Sequence, residues 1–145
     1  MTELELKLDN IEFNHQETIQ IRFKDIDVLG HVNNAVQMVY FDYGKVKYFE
    51  ALKKQVIEWK DIDLVIVNVN IDFKEPILIA NHIMVKTKVY EIGNKSIKLI
   101  QTLEDYKTNH IKSICRTVMC GFDQKTNQSL QITDEWRSLI KRFEE

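Results

Sequence analysis

Two aspartates, a glycine, a histidine and two asparagines fall within ten residues in "DIDVLGHVNN", residues 25–34, immediately ahead of one of the most hydrophobic segments of the chain. Residues of these types can serve three different chemistries. A calcium loop of the EF-hand kind beginning at Asp25 would place Asp27 third and Gly30 sixth, but it needs an oxygen ligand where Leu29 stands and a bidentate Glu where Val36 stands. Zinc fares no better: the histidines at 15, 31, 82 and 110 are scattered, no His-Glu-x-x-His occurs, and Cys115 and Cys120 lack a partnering pair. No metal is expected.

The second reading is a capped turn, in which Asp25 and Asp27 accept nearby backbone N–H groups, Gly30 takes a positive φ, and Asn33 or Asn34 caps the following helix. The third is acyl-transfer hydrolysis. A helix N-terminus offers unpaired N–H groups and a partial positive charge, which polarise a carbonyl and stabilise an oxyanion. An Asp a few residues earlier can attack that carbonyl or activate water against it. A Ser or Cys nucleophile has less support, because no Gly-x-Ser-x-Gly occurs and both cysteines sit in a strand-like run. Residue types alone leave the capped turn and the hydrolytic site open.

The elements that must position this loop follow from periodicity. Residues 17–23, "ETIQIRF", alternate as a strand with Ile19, Ile21 and Phe23 on one face. From about Val32 to Leu52, Val36, Val39, Tyr40, Tyr43, Val46 and Phe49 recur at three- and four-residue steps, with Met38, Phe41 and Tyr48 widening the stripe, which predicts a largely covered helix. Val65, Val67, Val69, Ile71 and Phe73 then alternate with Asn68, Asn70 and Asp72, a strand with one apolar face. Three more strands, around 82–92, 95–105 and 111–122, are joined by the short polar turns "GNK" and "YKTNH", which makes an antiparallel meander. Thr133 is placed to cap a terminal helix with Trp136, Leu139, Ile140 and Phe143 on one side. The order is strand, loop, long helix, four strands and short helix. It predicts an α+β domain spanning 1–145, with the helix in the concave face of one curved antiparallel sheet.

A formal charge of −2 argues against a broad nucleic-acid surface, which needs clustered Lys and Arg. No stretch approaches the length of a membrane span, and residues 1–10 contain no apolar core of signal-peptide length. Two cysteines five apart in a strand point to opposite faces, so a reducing compartment, the cytoplasm, is expected.

"RFKDIDVLGHVNNAVQMVYFDYGKVKYFE" closely resembles the signature of hotdog-fold acyl-CoA thioesterases of the 4-hydroxybenzoyl-CoA thioesterase type, and "DIDVLGHVNN" is similar to the active-site segment of acyl-ACP thioesterases. The resemblance covers about residues 15–125 and implies a single hotdog domain, a long helix wrapped by a curved antiparallel sheet. It puts the catalytic aspartate on Asp27, leaves Asp25 as a loop-shaping residue, and puts the oxyanion-binding N–H near Asn34, with those of Val32 and Asn33 as neighbours. It puts the histidine of the acyl-ACP enzymes on His31. No metal or other cofactor is implied. The implied assembly is a homodimer or homotetramer, with sites at the subunit interface.

Departures from both patterns bear on the substrate. Leu29 stands where the acyl-ACP enzymes carry an asparagine, and His31 stands where the hydroxybenzoyl type is usually apolar. A further carboxylate from Asp61, Asp63, Asp72 or Glu75 is open. Asn33, Tyr40, Phe41 and Asn68 are candidates to bind substrate, although aromatic residues on such a helix also serve as plain core and an Asn on a strand face also meets solvent. Lys and Arg at 86, 88, 95, 98, 112 and 116 are candidates for coenzyme A phosphates or for a solvated face. The expected activity is hydrolysis of acyl-CoA. Hydrolysis of acyl-ACP, with an acyl carrier protein as partner, and acyl-CoA binding without turnover are the alternatives.

Overall fold

Alternating segments of ten and fourteen residues build the body of the sheet. A computed structural model describes residues 8–58, 60 and 62–145, so the expectations for residues 1–7 and Asp61 lie outside the described residues. The strands are β1 (His15–Thr18), β2 (Leu64–Phe73), β3 (Ile83–Ile92), β4 (Ser96–Asp105), β5 (His110–Asp123) and β6 (Gln128–Leu130); the helices are α1 (Asn34–Lys53) and α2 (Asp134–Glu144). The strand order is β1-β3-β4-β5-β2, with every pairing antiparallel and β6 added to the end of β5. The long helix packs on the inner face, which is the α+β hotdog arrangement.

Four features differ from the sequence reading. The first strand begins earlier and stops at Thr18; Phe23–Asp25 instead forms a 3₁₀ turn that leaves Phe23 85% exposed. The cause is local, since Asp25 Oδ2 accepts the Arg22 N–H at 3.0 Å and the turn closes through Asp25 N–H to Arg22 O, a side-chain alternative to the sheet ladder. A sixth strand, β6, adds a short hairpin after β5.

The helix is also rotated from its expected phase. It buries Gln37, Tyr40, Phe41, Gly44, Lys45, Tyr48, Phe49 and Leu52, whereas Val39, Tyr43 and Val46 stay 60%, 42% and 44% exposed. Apolar residues occupy most of its circumference, so their spacing does not choose a phase. Gly44 does: a Cβ there would lie 2.7 Å from Val85 Cγ2 and 2.9 Å from Gln101 Nε2, so the helix meets the sheet where it has no side chain. Gln101 then donates to the Phe41 carbonyl and to Thr87 Oγ1.

Strand β2 carries a bulge. Ile66 pairs with Met119 and Asn68 with Val118, which leaves Val67 unpaired between them and switches the alternation. Leu64 and Ile66 precede the switch on the inner face and Val69, Ile71 and Phe73 follow it there, whereas Val65 pairs with Cys120 on the outer face.

The core falls into two parts along α1. Near its start, Tyr40 and Phe41 pack with Val32, Ile77, Val85, Leu103 and Cys115. Near its end, Tyr48, Phe49 and Leu52 pack with Leu64, Leu99, Met119, Trp136 and Ile140. Thr133 caps α2 by accepting the Trp136 N–H, and the Tyr48 hydroxyl donates to Glu144 at 2.8 Å, tying the end of α2 to the long helix.

Candidate active site

The loop before α1 is a small closed hairpin. Ile26 bridges Val32, Asp27 N–H donates to the His31 carbonyl at 3.0 Å, and Gly30 N–H donates to the Asp27 carbonyl at 3.0 Å. Gly30 has φ +83°, a conformation that favours glycine after such a turn. Inside this frame Asp27 Oδ1 accepts the Leu29 N–H at 2.9 Å and Oδ2 accepts from Asn33 Nδ2 at 3.3 Å. Asn33 is the N-cap, its Oδ1 accepting the Ala35 N–H at 2.8 Å. One asparagine side chain therefore caps the helix and tethers the Asp27 carboxylate to the helix start. The carboxylate keeps acceptor capacity beyond these two bonds.

The amides around the cap are unequal. Val32 N–H donates to the Ile77 carbonyl and Asn33 N–H to the Asp25 carbonyl, so neither is available to a ligand. Among the described residues no acceptor takes the Asn34 N–H, at the first position of α1, where an unpaired donor and the helix dipole coincide.

Asp25 shapes the loop as its position suggests. Its Oδ2 accepts the Arg22 N–H and also the Tyr40 hydroxyl, at 2.5 Å. Burial, reinforced by the hydrogen bond to Asp25, pushes the Tyr40 phenol well above its usual pKa. Tyr40 and Phe41, expected to contact substrate, are packed inside: Tyr40 is 6% exposed and held by Asp25, and Phe41 is fully buried against the sheet. The rotation of the helix set by Gly44 turns both inward. Asn68 is not brought to the loop either, because past the bulge it shares the outer face with Val118, on the side of the sheet away from α1.

A cavity of about 290 Å³ opens at the helix start, lined by His31, Val32, Asn34, Gln37, Phe73 and Glu75 among others. His31 and Asn34 thus meet in one recess; Asp27 does not line it and is tied to the helix start through Asn33. Among the described residues Glu75 is the one further candidate carboxylate that lines this recess; Asp63 accepts the Trp136 Nε1–H at 2.7 Å and Asp72 pairs with Ile114 on the outer face. The Lys112 ammonium, 3.1 Å from Glu75 Oε2, with His110 at 3.4 Å, holds the Glu75 carboxyl below the usual range. Sequence reasoning missed Gln37, a buried wall residue whose Oε1 accepts from Ser113 Oγ at 2.8 Å. Its four-residue step from Asn33 on the Phe41–Gly44 side was the available signal.

A second, larger cavity of about 380 Å³ lies farther along α1, bounded by β2 and by Trp136 of α2. Among the described residues no three His, Cys, Asp or Glu side chains are grouped to hold a metal ion, and no helix is long and apolar enough to cross a membrane.

A curved antiparallel sheet around one long helix, with an Asp-x-Asp loop leading into the helix cap at Asn33, defines a hotdog protein with a candidate site at the helix N-terminus. The chain belongs to the thioesterase-like superfamily, whose family model matches residues 21–140, and it is a thioester hydrolase. Among its relatives are the long-chain acyl-CoA thioesterase FadM of Escherichia coli, 22% identical over 131 residues covering 88% of this chain and 98% of FadM, and the uncharacterized protein YsmA of Bacillus subtilis, 24% identical over 131 residues covering 88% and 86%. A thioesterase of Thermus thermophilus, solved with coenzyme A and Zn, superposes with a TM-score of 0.81 at 22% identity, covering 91% of this chain and 95% of that one.

Proposed function

We propose that the protein hydrolyses acyl-CoA to free acid and coenzyme A, with Asp27 as base or nucleophile, the Asn34 N–H as oxyanion donor and His31 assisting. The observation that carries this reading is the uncommitted Asn34 N–H at the start of α1, with the Asp27 carboxylate held beside it through Asn33. With Asp27 as base, it takes a proton from water, the hydroxide adds to the thioester carbon, and the oxyanion is stabilised by the Asn34 N–H and the helix dipole. Collapse expels the thiolate, which regains the proton from Asp27. With Asp27 as nucleophile, its oxygen adds instead, the adduct expels the coenzyme A thiolate to leave a mixed anhydride, and water cleaves that anhydride to the free acid and the Asp27 carboxylate while the proton water releases goes to the thiolate. His31 lines the same recess as Asn34 and hydrogen-bonds the thioester or the attacking water. The coenzyme A complex of the Thermus thermophilus relative and the long-chain acyl-CoA activity of FadM support a CoA thioester over an acyl-ACP.

The working unit in this reading is a homodimer or homotetramer. Among the described residues β2 is a ten-residue edge strand paired on one side only, with Val67 56% and Phe73 45% exposed. An open edge of this kind is a template for a second copy.

The test is hydrolysis of short, long and aromatic acyl-CoAs, followed through released thiol, with Asp27→Asn beside the parent. Turnover that falls by a factor of at least about 10³ in Asp27→Asn, with fold and oligomer kept, supports the reading. Undiminished turnover in Asp27→Asn overturns its assignment, and inactivity of the parent toward every acyl-CoA moves the substrate to carrier-protein thioesters.

A further inference from the structure

The two cavities border the same side of α1, one at its start and one farther along. On α1, Asn34, Met38, Asp42, Lys45 and Phe49 follow one another at four- and three-residue steps and so form a single stripe. Asn34 borders the small cavity, and Asp42, Lys45 and Phe49 border the large one. Phe73 at the end of β2 borders the first cavity and Leu64 and Ile66 at its beginning border the second, so β2 runs alongside the stripe in the opposite direction. The helix rise of 1.5 Å per residue puts the large cavity about 12 Å beyond Asn34 at Asp42 and about 22 Å beyond it at Phe49.

The lining of the large cavity is apolar, and each polar side chain on it already has a partner. Lys45, 4% exposed, is 3.5 Å from Asp42 Oδ1, and Asp63 accepts the Trp136 indole N–H. A hydrocarbon loses no hydrogen bonds against these walls, whereas a hydroxyl, phenol or carboxylate exchanges water for a lining that is mostly apolar, which is unfavourable. At the far end Trp136, 5% exposed, is fixed by that bond to Asp63, by an edge contact with Phe49 at 5.4 Å between centroids, and by Lys53 Nζ at 4.5 Å over its ring.

Granting the acyl-CoA reading above, we propose that the large cavity takes the unsubstituted hydrocarbon tail of the acyl group, and that Trp136 is its end wall and sets the chain length accepted. With the carbonyl at Asn34, a straight chain at about 1.25 Å per bond needs about ten carbons to enter the cavity and reaches its far end at about eighteen, given the helix rise above. The substrates are therefore aliphatic acyl groups of roughly C12 to C18, and aromatic or short acyl groups gain nothing from the cavity.

The experiment measures kcat/KM for straight-chain acyl-CoAs from C4 to C18 in the parent, in Ile66→Trp, which fills the cavity from β2, and in Trp136→Leu, which opens its end. The expected parent profile is flat for short chains and rises by up to about fourfold per methylene once the tail enters. The C16-to-C6 ratio drops at least about tenfold in Ile66→Trp, and the optimum moves to longer chains in Trp136→Leu. Melting temperature and oligomer size are followed in each variant. Calorimetric binding of C6 to C16 fatty acids gives a readout without turnover: affinity that climbs with length and is lost in Ile66→Trp supports the tail site. Turnover with the same chain-length profile in all three proteins overturns it and leaves the acyl-CoA reading standing. Absence of acyl-CoA turnover alongside length-dependent fatty-acid binding overturns the CoA substrate and keeps the tail site.

Discussion

Removal of one hydroxyl tests whether the loop before α1 is positioned by the helix behind it. In Tyr40→Phe the ring stays in the core and the 2.5 Å bond to Asp25 Oδ2 disappears. A hydrogen bond to a charged group contributes about 1.5–3 kcal/mol when fully buried. Asp25 is only half-buried and keeps the Arg22 N–H, so water can replace the lost donor and the expected loss is about 1–2 kcal/mol. For a chain of this length that lowers Tm by a few degrees, about 2–4 °C per kcal/mol. The effect on activity is separable from stability. Asp25 also holds the cap through Asn33 N–H to its carbonyl, so loosening it blurs the approach of Asp27 to the Asn34 N–H. The expected result is a fall in kcat of up to about tenfold, corresponding to about 1.4 kcal/mol at the transition state, with KM changed by less than about twofold. The assay is steady-state hydrolysis of the best acyl-CoA at a temperature where both proteins are folded, alongside thermal unfolding. Asp25→Asn supplies the second arm: in that background Tyr40→Phe should add little, because the two groups act as a pair. An unchanged kcat in Tyr40→Phe, or full additivity of the two substitutions, refutes the positioning role.

Two other substitutions test the frame. Gly44→Ala gains about 1 kcal/mol of helix propensity but forces a Cβ into three contacts under 3.0 Å with Val85 and Gln101, an overpacking cost of about 1–3 kcal/mol; a net loss of about 1 kcal/mol in urea unfolding is expected, and an increase in stability would show that the helix can lift off the sheet freely. Among the described residues His15 Nδ1 is buried without a partner, between Tyr48 and Phe143, and burial lowers the His15 pKa against the opposing pull of Glu17 and Glu144. The unfolded chain therefore binds a proton more readily below the ordinary value of 6.5, so stability declines as pH falls from about 6.5 toward the folded-state pKa. In His15→Phe that part of the pH slope should vanish, and an identical slope in both proteins sinks the assignment.

Much of the site was legible because its signals are local. The Asx turn at Asp27, the positive φ at Gly30 and the cap at Asn33 depend on residues at most six apart, and each was readable from its type. The element order was legible for the same reason, since strand alternation and the polar turns between strands are short-range patterns. What could not be read was set by partners far away in sequence. Val36, Val39, Tyr43 and Val46 form as good a stripe as Phe41, Tyr48, Phe49 and Leu52, and only the approach of Gly44 to Val85 selects between them. The bulge at Val67 is a property of the β2–β5 pair, invisible in a segment whose own alternation is unbroken from Val65 to Phe73. Both misreadings bear on the same feature. Turning α1 by its glycine brings Asn34, Met38, Asp42, Lys45 and Phe49 to one border, and the bulge sets Ile66 and Phe73 on the same side of β2 although their numbers differ in parity. Both cavities border this stripe of α1 and this side of β2, an arrangement that follows only once both events have occurred. A reading confined to the motif can therefore find the loop and the helix start but not the apolar cavity farther along α1.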